Sequence, residues 1–274
     1  MKQISILGCG WLGLPLAKSL IEDGFSVNGS TTSLEKMDVL KDAGISPFQI
    51  NVLEDTIEGE IVSFLENSSV LIIDIPPKLR GNSKDTSTAL SMTFVAKIQT
   101  VISSIEQSTV KKVLFVSSTS VYTDDSSEVT EATQPQPDTE SGKQLLEAEF
   151  LLLNNTHFQT TVLRFGGLIG DDRHPIRFLS GKKNIENPEA PINLIHQKDC
   201  IGIIQSIIEN TIWNDVFNAV APYHPSRKEY YAQKALKLNL PLPEFDESKP
   251  SIGKLISSEK ILQQLNYTFK VPEL

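Results

Sequence analysis

The sequence predicts an α/β protein built on a doubly wound parallel sheet, followed by a smaller and irregular C-terminal lobe. Short β-branched runs alternate with helical patterns through the first 170 residues. The run at 70–73 is continuously apolar, as in strands that helices cover on both faces. Prolines break up the helical patterns after residue 170. We therefore expect a first domain over 1–170 and a smaller lobe over 171–274.

Six strands and five helices are predicted in the first domain. The strands are predicted at 3–7, 26–30, 47–51, 70–75, 112–117 and 161–165, and the helices at 12–23, 33–43, 56–66, 86–107 and 139–154. We expect Ser33 to cap the second helix. In the lobe, Ser226 begins a capping box before a helix near 227–237, and Asp199 is expected to cap a helix ending near Asn210. A strand near 213–220 is expected to return to the main sheet.

The composition is that of an ordinary folded protein without a basic surface. Its 274 residues carry 34 acidic and 25 basic side chains, for a formal net charge of −9. A nucleic-acid-binding protein needs a basic patch to neutralise phosphates, so this balance argues against that class. The two cysteines, Cys9 and Cys200, show neither CxxC nor metal-ligand spacing. We expect neither a disulfide framework nor a metal site.

Membrane and export signals are not expected either. No apolar run approaches the roughly 20 residues of a membrane span. The apolar run at 4–7, before Cys9, is far shorter than the roughly 7–15 residues of an export signal. We expect a cytoplasmic protein that binds a small-molecule substrate and neither a membrane nor a nucleic acid. The sequence leaves the oligomeric state open.

The first strand leads into a glycine loop, Gly8-Cys9-Gly10-Trp11-Leu12-Gly13, which opens the first helix. Gly8 allows the tight turn, Gly10 lets the backbone approach a pyrophosphate, and Gly13 lets the helix pack against the sheet. Trp11 and Leu12 lie at the helix N-terminus, where free N–H groups attract phosphate. This context predicts a dinucleotide-binding Rossmann sheet; the alternative is a glycine-rich turn without a ligand.

The residues about 20 positions further on distinguish the two nicotinamide dinucleotides. NAD would need an Asp or Glu at the end of the second strand. The sequence instead has Ser30-Thr31-Thr32-Ser33, with Lys36 in the following helix. Hydroxyls, a helix N-terminus and a lysine suit a 2′-phosphate, so the expected cofactor is NADP, with NAD as the alternative. The other interpretation of 30–33 is that these residues only cap a helix.

Two further segments carry a resemblance to a known family. One is Ser117-Ser118-Thr119-Ser120-Val121-Tyr122 after the fifth strand, and the other is the helix with Lys143 and Glu147. With the glycine loop and the segments 163–170 and 195–199, they resemble the short-chain dehydrogenase/reductase superfamily, in its extended or atypical nucleotide-sugar epimerase/dehydratase branch. The resemblance covers most of the first 200 residues.

The resemblance implies a catalytic frame from which one member is missing. Ser118 would orient the substrate, and Lys143 would bind the nicotinamide ribose and tune a tyrosine four residues before it. That position holds Thr139, whose hydroxyl does not ionise at useful pH. Tyr122 is a candidate substitute, with packing beneath the loop as the alternative. Lys143 is either the ribose anchor or a solvated helix residue.

The remaining expected site residues follow from the edge of the sheet at which ligands bind. Ligands lie at the carboxyl ends of parallel strands. Residues Ile75, Pro76 and Pro77 should therefore flank the adenine-side ribose and pyrophosphate, and Phe165 and Gly166 the nicotinamide. The resemblance implies a substrate cleft that contains Arg173, Arg177, Asn193 and His196 and could hold an anionic or sugar-like ligand. The alternative is that each of them is a surface or capping residue.

Two functions from different classes remain open. The first is an atypical NADP(H)-dependent oxidoreductase or epimerase-type enzyme acting on a small polar or sugar-like substrate. The second is an NADP(H)-binding sensor that keeps the cofactor cleft without the chemistry. The tyrosine missing at position 139 favours the second, and Ser118 and Lys143 favour the first. A pair Tyr230 and Lys234 repeats the catalytic spacing, but in the C-terminal lobe, and we interpret it as a coincidence.

Overall fold

A computed structural model of the chain describes residues 2–77, 93–125 and 127–274. Its main sheet contains seven parallel strands, in agreement with the predicted doubly wound class. In chain order they are β1 (Gln3–Leu7), β2 (Ser26–Thr31), β3 (Ser46–Gln49), β6 (Ser68–Ile73), β7 (Lys112–Ser118), β9 (Gln159–Phe165) and β12 (Asp215–Ala219).

The strand order fixes where a ligand can bind. Across the sheet the strands run β12-β9-β7-β6-β1-β2-β3, with all neighbours parallel. The chain builds outward from β1 to β2 and β3, then crosses to the other side of β1 with β6. A crevice forms at such a reversal, outside the carboxyl ends of the two central strands. Here those ends are the residues that follow Leu7 and Ile73.

Nine helices occur in the described parts of the chain. They are α1 (Gly13–Glu22), α2 (Lys36–Asp42), α3 (Ile61–Leu65), α4 (Thr93–Glu106), α5 (Glu140–Leu153), α6 (Ile176–Leu179), α7 (Gln197–Glu209), α8 (Arg227–Lys237) and α9 (Glu259–Gln264). One core packs α1, α7 and α9 against one face of the sheet. A second core packs α3, α4 and α5 against the other face. The apolar strands are thus buried on both sides, as the sequence pattern requires.

Three two-stranded sheets surround the main one. They pair β4 (Asn51–Val52) with β5 (Ile57–Glu58), β10 (Gly167–Ile169) with β11 (Leu194–His196), and β8 (Glu128–Val129) with β13 (Leu255–Ile256). A third core, around Ile176, Ile192 and Tyr230, lies under α6 and α8. Because β12 pairs with β9 inside the main sheet, the chain after residue 170 contributes to both regions. The division at residue 170 stays a prediction.

Two predicted helix caps are wrong. Helix α2 begins at Lys36, so Ser33 does not cap it. The Thr31 hydroxyl accepts a hydrogen bond from the Ser33 N–H in a local turn before the helix. Helix α7 is capped by His196, whose Nδ1 accepts from the Lys198 N–H. Asp199 is fully buried, and it accepts hydrogen bonds from the C-terminal segment. Tertiary partners override the local capping propensity of this carboxylate.

The other helix predictions have different outcomes. The capping box at Ser226 and the helix 227–237 are confirmed, since the Ser226 hydroxyl accepts from the Glu229 N–H at the start of α8. The predicted helix 56–66 is divided between β5 and the short α3. The part of the predicted helix 86–107 before Thr93 lies outside the described residues.

Candidate functional site

The glycine loop has the backbone geometry that its sequence predicts. Gly8 has φ +110°, a region that favours glycine, and a Cβ there would lie 2.4 Å from the Asp74 carbonyl oxygen. A Cβ on Gly13 would lie 2.2 Å from the Gly8 carbonyl oxygen. Side chains at these two positions would prevent α1 from packing against the end of β6.

The side of the loop that faces away from the sheet is open. A Cβ added to Gly10 would meet no atom of the described chain within 4 Å. Within the described ranges, the N–H groups of Trp11 and Leu12 have no hydrogen-bond partner, and they stand at the start of α1. Free N–H groups at a helix N-terminus beside an open backbone surface fit a bound pyrophosphate. These residues therefore fit the phosphates of a dinucleotide.

Asp74, beside the glycine loop, was not considered in the sequence analysis. Asp74 follows β6, and its carboxyl accepts a hydrogen bond from the Gly13 N–H. Burial raises the pKa of this carboxyl from 3.8 to about 7, and the Gly13 bond offsets only part of the rise. The available signal was a carboxylate directly after an apolar strand that ends at the ligand-binding edge.

The residues expected to read the ribose have divided roles. The Ser30 hydroxyl accepts from the Gly8 N–H at 2.9 Å, so it supports the glycine loop. The Thr31 hydroxyl accepts from the Ser33 N–H. Thr32 and Lys36 are exposed, and Ser33 is half-buried. The structure thus leaves Thr32, Ser33 and Lys36 available to a ligand, and it uses Ser30 and Thr31 internally.

The Ser118 turn and the start of α5 lie in contact. The Ser118 hydroxyl accepts from the Ser120 N–H at 3.1 Å and caps a single turn of 3-10 helix. A Cβ on Gly142 would lie 2.3 Å from the Ser120 carbonyl oxygen, so the first turn of α5 packs directly on this loop. Thr139 is the N-cap of α5, and its hydroxyl accepts from the Gly142 N–H at 3.1 Å. Lys143, one turn further on, is exposed.

Tyr122 is enclosed in a network that the sequence analysis did not foresee. Its hydroxyl donates to Asn218 Oδ1 at 3.0 Å and accepts from Arg164 Nη1. Arg164 in turn forms a buried ion pair with Glu149, with Nη2 and Oε2 at 2.6 Å. Burial raises the pKa of the Tyr122 hydroxyl, and the Arg164 guanidinium offsets only part of this. These contacts occupy the group proposed as a substitute acid and base.

The residues expected in the substrate cleft are also divided. The Arg173 guanidinium lies over the Trp11 ring, with Cζ 5.0 Å from its centroid, and Trp11 Nε1 donates to Asp172. This contact joins the glycine loop to the turn after β10. Both Arg173 and Arg177 are exposed. They remain available to an anionic ligand.

Asn193 and His196 are engaged in holding the chain together. The Asn193 side chain donates to the Lys254 carbonyl and accepts from the Ile256 N–H, so it fixes β13. His196 caps α7, and its Nε2 lies 3.7 Å from an Asp171 carboxylate oxygen. Lys254, which the sequence analysis missed, donates to the Tyr122 carbonyl oxygen at 2.6 Å.

The strand-end residues expected at the cofactor contribute mainly backbone. Phe165 is buried in the core, and a Cβ on Gly166 would lie 2.5 Å from the Asn193 carbonyl oxygen. Ile75 packs partly into the second core. Pro76 is exposed and Pro77 is half-buried, beside the glycine loop at the end of β6. The segment after Pro77 lies outside the described residues.

One surface concavity lies far from the expected site. A surface concavity of about 540 Å³ lies at the amino ends of β7 and β9, lined by residues that include Lys111, His157 and Asn214, and contains none of the expected site residues. We place the ligand at the carboxyl ends instead, because the free N–H groups of Trp11 and Leu12 lie there. Within the described ranges, no cluster of His, Cys, Asp and Glu fits a metal ion. No helix in these ranges is long and apolar enough to cross a bilayer.

A doubly wound sheet with an open glycine loop at its reversal defines a dinucleotide-binding protein. The chain belongs to a family of NAD(P)H-binding proteins, whose model matches residues 8–193. Protein YeeZ of Escherichia coli (strain K12) is similar to it, with 32% identity over 275 residues, covering 100% of this chain and 97% of that protein.

Solved structures share the fold. UDP-glucuronic acid 4-epimerase from Bacillus cereus, in complex with UDP-glucuronic acid and NAD, has a TM-score of 0.79 at 17% identity, covering 98% of this chain and 94% of that chain. A short-chain dehydrogenase/reductase superfamily protein from Agrobacterium tumefaciens, with bound NAD, has a TM-score of 0.78 at 15% identity, covering 98% and 92%. The predicted likeness in fold to the short-chain dehydrogenase/reductase and epimerase proteins is thereby confirmed, and the replacement of the active-site tyrosine by Thr139 stays a prediction.

Proposed function

We propose that this protein binds NADP(H) at the glycine loop and acts as an oxidoreductase or epimerase-type enzyme on a small polar or sugar-like ligand. The observation that carries the proposal is the open N-terminus of α1, which lies at the same edge of the sheet as the Ser118 turn. The bound nicotinamide would supply hydride transfer. Within this chain, Ser118 would orient the reacting oxygen and Lys143 would hold the ribose.

The preference for NADP is supported by what surrounds the end of β2. No carboxylate occurs in the segment 30–33, whereas Lys36 places an exposed cation in the first turn of α2. Thr32 and Ser33 add two hydroxyls between the end of β2 and that lysine in the chain. A 2′-phosphate would gain a positive charge and hydroxyl donors there. The neighbouring carboxylates Glu35 and Asp38 oppose this preference.

The ligand is proposed to lie between the Ser118 turn and the segment 171–199. Arg173 and Arg177 offer exposed guanidinium groups on that segment, and such groups bind phosphate or carboxylate oxygens in a bidentate manner. The Bacillus cereus epimerase was solved with UDP-glucuronic acid, an anionic nucleotide sugar. We extend that ligand class to this chain as part of the proposal.

Position 139 limits the chemistry. The Thr139 hydroxyl is engaged in capping α5, and the Tyr122 hydroxyl is engaged with Arg164 and Asn218. Without a positioned acid and base, proton transfer loses roughly 10²- to 10⁴-fold in rate. Turnover on simple alcohols should therefore be weak. The same observation favours the second candidate function, an NADP(H)-binding sensor without catalysis.

Replacing Thr139 separates these two functions. Thr139→Tyr places a phenol four residues before Lys143, and Thr139→Phe is its matched control, since it removes the same cap and adds the same ring without the hydroxyl. We expect NADP(H) turnover with a panel of sugar nucleotides and alcohols to be at least about tenfold higher in Thr139→Tyr than in Thr139→Phe. If no panel member is turned over by the wild type or by either variant, the sensor function replaces the enzyme.

The cytoplasmic location and the lack of nucleic-acid and membrane partners, expected from the sequence, stay predictions.

A further inference from the structure

The Asp74 carboxyl lies against Gly13 of the glycine loop, at the start of α1. Asp74 is tied to β1 by its own N–H, which donates to the Leu7 carbonyl oxygen at 2.9 Å. Its carbonyl oxygen underlies Gly8, and a Cβ on Gly13 would lie 3.3 Å from its Oδ2. The carboxyl therefore accepts from the first N–H of α1, and the unpartnered N–H groups of Trp11 and Leu12 directly precede that N–H in the chain.

In the described part of the chain, the groups that interact with this carboxyl carry no positive charge. The titratable groups that face it are the thiols of Cys9, from the glycine loop, and Cys200, from α7. Burial raises the pKa of Cys9 to about 12 and that of Cys200 well above its usual value, so both are neutral. Among the described residues, no cation takes part in holding the charge of Asp74. Lys78 and Arg80, which follow in the sequence, lie outside these residues.

We propose that Asp74 is a residue of the dinucleotide site and that binding the pyrophosphate draws one proton from solvent onto its carboxyl. The proposal rests on dinucleotide binding at the glycine loop. An anion held by the Trp11 and Leu12 N–H groups comes close to the carboxylate, and two like charges disfavour each other. Protonation removes that repulsion, and the bound pyrophosphate then stabilises the neutral carboxylic acid.

The protonation state before binding sets the pH dependence. The pKa of about 7 means that Asp74 is mostly neutral below pH 6 and mostly ionised at pH 8. The binding-competent protonated form then becomes scarcer as the pH rises. The affinity of the wild type should fall by up to about tenfold per pH unit above 7. Below pH 6 it should not depend on this group.

Asp74→Asn tests this, because the amide has the shape of the protonated carboxyl and keeps an oxygen for the Gly13 N–H. At pH 8, we expect this variant to bind NADPH about tenfold more tightly than the wild type. At pH 5.5 the two should agree within about twofold. If Asp74 had a purely structural role, Asp74→Asn would instead bind NADPH as tightly as the wild type, or more weakly, at both pH values. Asp55→Asn, the same change at an exposed loop carboxylate, controls for net charge and should match the wild type.

Proton uptake supplies a second readout that needs no variant. Calorimetric titrations of the wild type with NADPH at pH 8, in buffers of different ionisation enthalpy, should show about 0.9 proton taken up on binding. The 2′-phosphate contributes equally to the wild type and to Asp74→Asn, so the difference between them belongs to Asp74. Binding without uptake, with Asp74→Asn no tighter than the wild type at pH 8, would overturn the proposal and leave dinucleotide binding intact. Absence of NADPH binding at every pH would overturn both.

Discussion

At the scale of single residues, two buried ionisable groups support the Ser118 turn, and neither was recognised from the sequence. Arg164 and Glu149 read as ordinary strand and helix charges, yet both are buried and paired. Glu149 also accepts from the Ser117 hydroxyl, directly before Ser118. The pair therefore fixes the base of the Ser118 turn from below. Isolated charges in apolar patterns were the only available signal, and their partners are 15 or more residues away.

The Tyr122 hydroxyl should contribute to stability and little to NADPH affinity. Tyr122→Phe removes the hydrogen bond to Asn218 and one from Arg164, and it should lower the free energy of unfolding by about 1–3 kcal/mol. NADPH affinity should stay within about twofold, because the hydroxyl points into the core network. Urea unfolding and a fluorescence titration measure the two quantities. A stable variant that has lost activity alone would instead give Tyr122 the catalytic role expected from its place after Ser118.

The stability of the unliganded protein should depend on pH through Asp74. The folded-state pKa of Asp74, about 7, is raised above its unfolded value of 3.8, so the folded state binds more protons between these values. Stability contributed by this group is therefore lost as the pH rises from 4 through 7. Asp74→Asn should raise Tm at pH 8 and change it little at pH 4. An equal change at both pH values would contradict the raised pKa.

At the scale of elements, the start of α5 shows that position 139 affects both the fold and the proposed chemistry. The sequence predicts a helix from 139, and the observed helix begins one residue later because Thr139 is its cap. Periodicity gave the helix correctly, since the apolar positions of α5 repeat at helical spacing. It gave no information on the use of the hydroxyl, because that depends on the backbone of residues 139–142.

Thr139→Ala tests the cap. Losing the hydrogen bond to the Gly142 N–H should cost about 0.5–2 kcal/mol of stability, and Thr139→Ser should cost little because Ser caps equally well. Chemical denaturation of the two variants gives the comparison. Equal stability of the Ala and Ser variants would show that the hydroxyl is free, and therefore available to a substrate.

At the scale of the whole molecule, one buried carboxylate, together with apolar packing, holds the C-terminal segment. Asp199 Oδ1 accepts from the Tyr267 hydroxyl at 2.9 Å and from the Lys270 N–H at 2.6 Å, and Oδ2 accepts from the Val271 N–H at 3.1 Å. These bonds hold the last residues against α7, beside the core on the α1 side of the sheet. The sequence suggested only a helix cap at Asp199, since its partners follow about 70 positions later.

Asp199→Ala should destabilise the protein by about 2–4 kcal/mol, because three donors lose a buried acceptor. The matched control is Glu209→Gln, an exposed carboxylate on the same helix, which should stay within about 0.5 kcal/mol of the wild type. Urea unfolding gives both values. Equal stabilities of the two variants would mean that the C-terminal segment does not rest on Asp199.

Much of the overall architecture follows from the sequence, because alternating apolar strands and helices admit few topologies. The glycine loop was also recognisable, since its spacing is a backbone requirement. The separate contacts that Asp74, Tyr122 and Asn193 make were not, because each depends on pairing between distant segments. Tyr122 and Asn193 were assigned to the site by their position along the chain, and both are held by other residues of the protein.

We propose, above all, that the glycine loop binds a dinucleotide and prefers the one that carries a 2′-phosphate. Parallel titrations of the wild type and Gly10→Val with NADPH and NADH measure it. We predict that the wild type binds NADPH at least about tenfold more tightly than NADH. Gly10→Val should bind neither and should keep its Tm, because a Cβ at Gly10 meets no atom of the described chain within 4 Å. Equal affinities, a preference for NADH, or undiminished binding by Gly10→Val would contradict it.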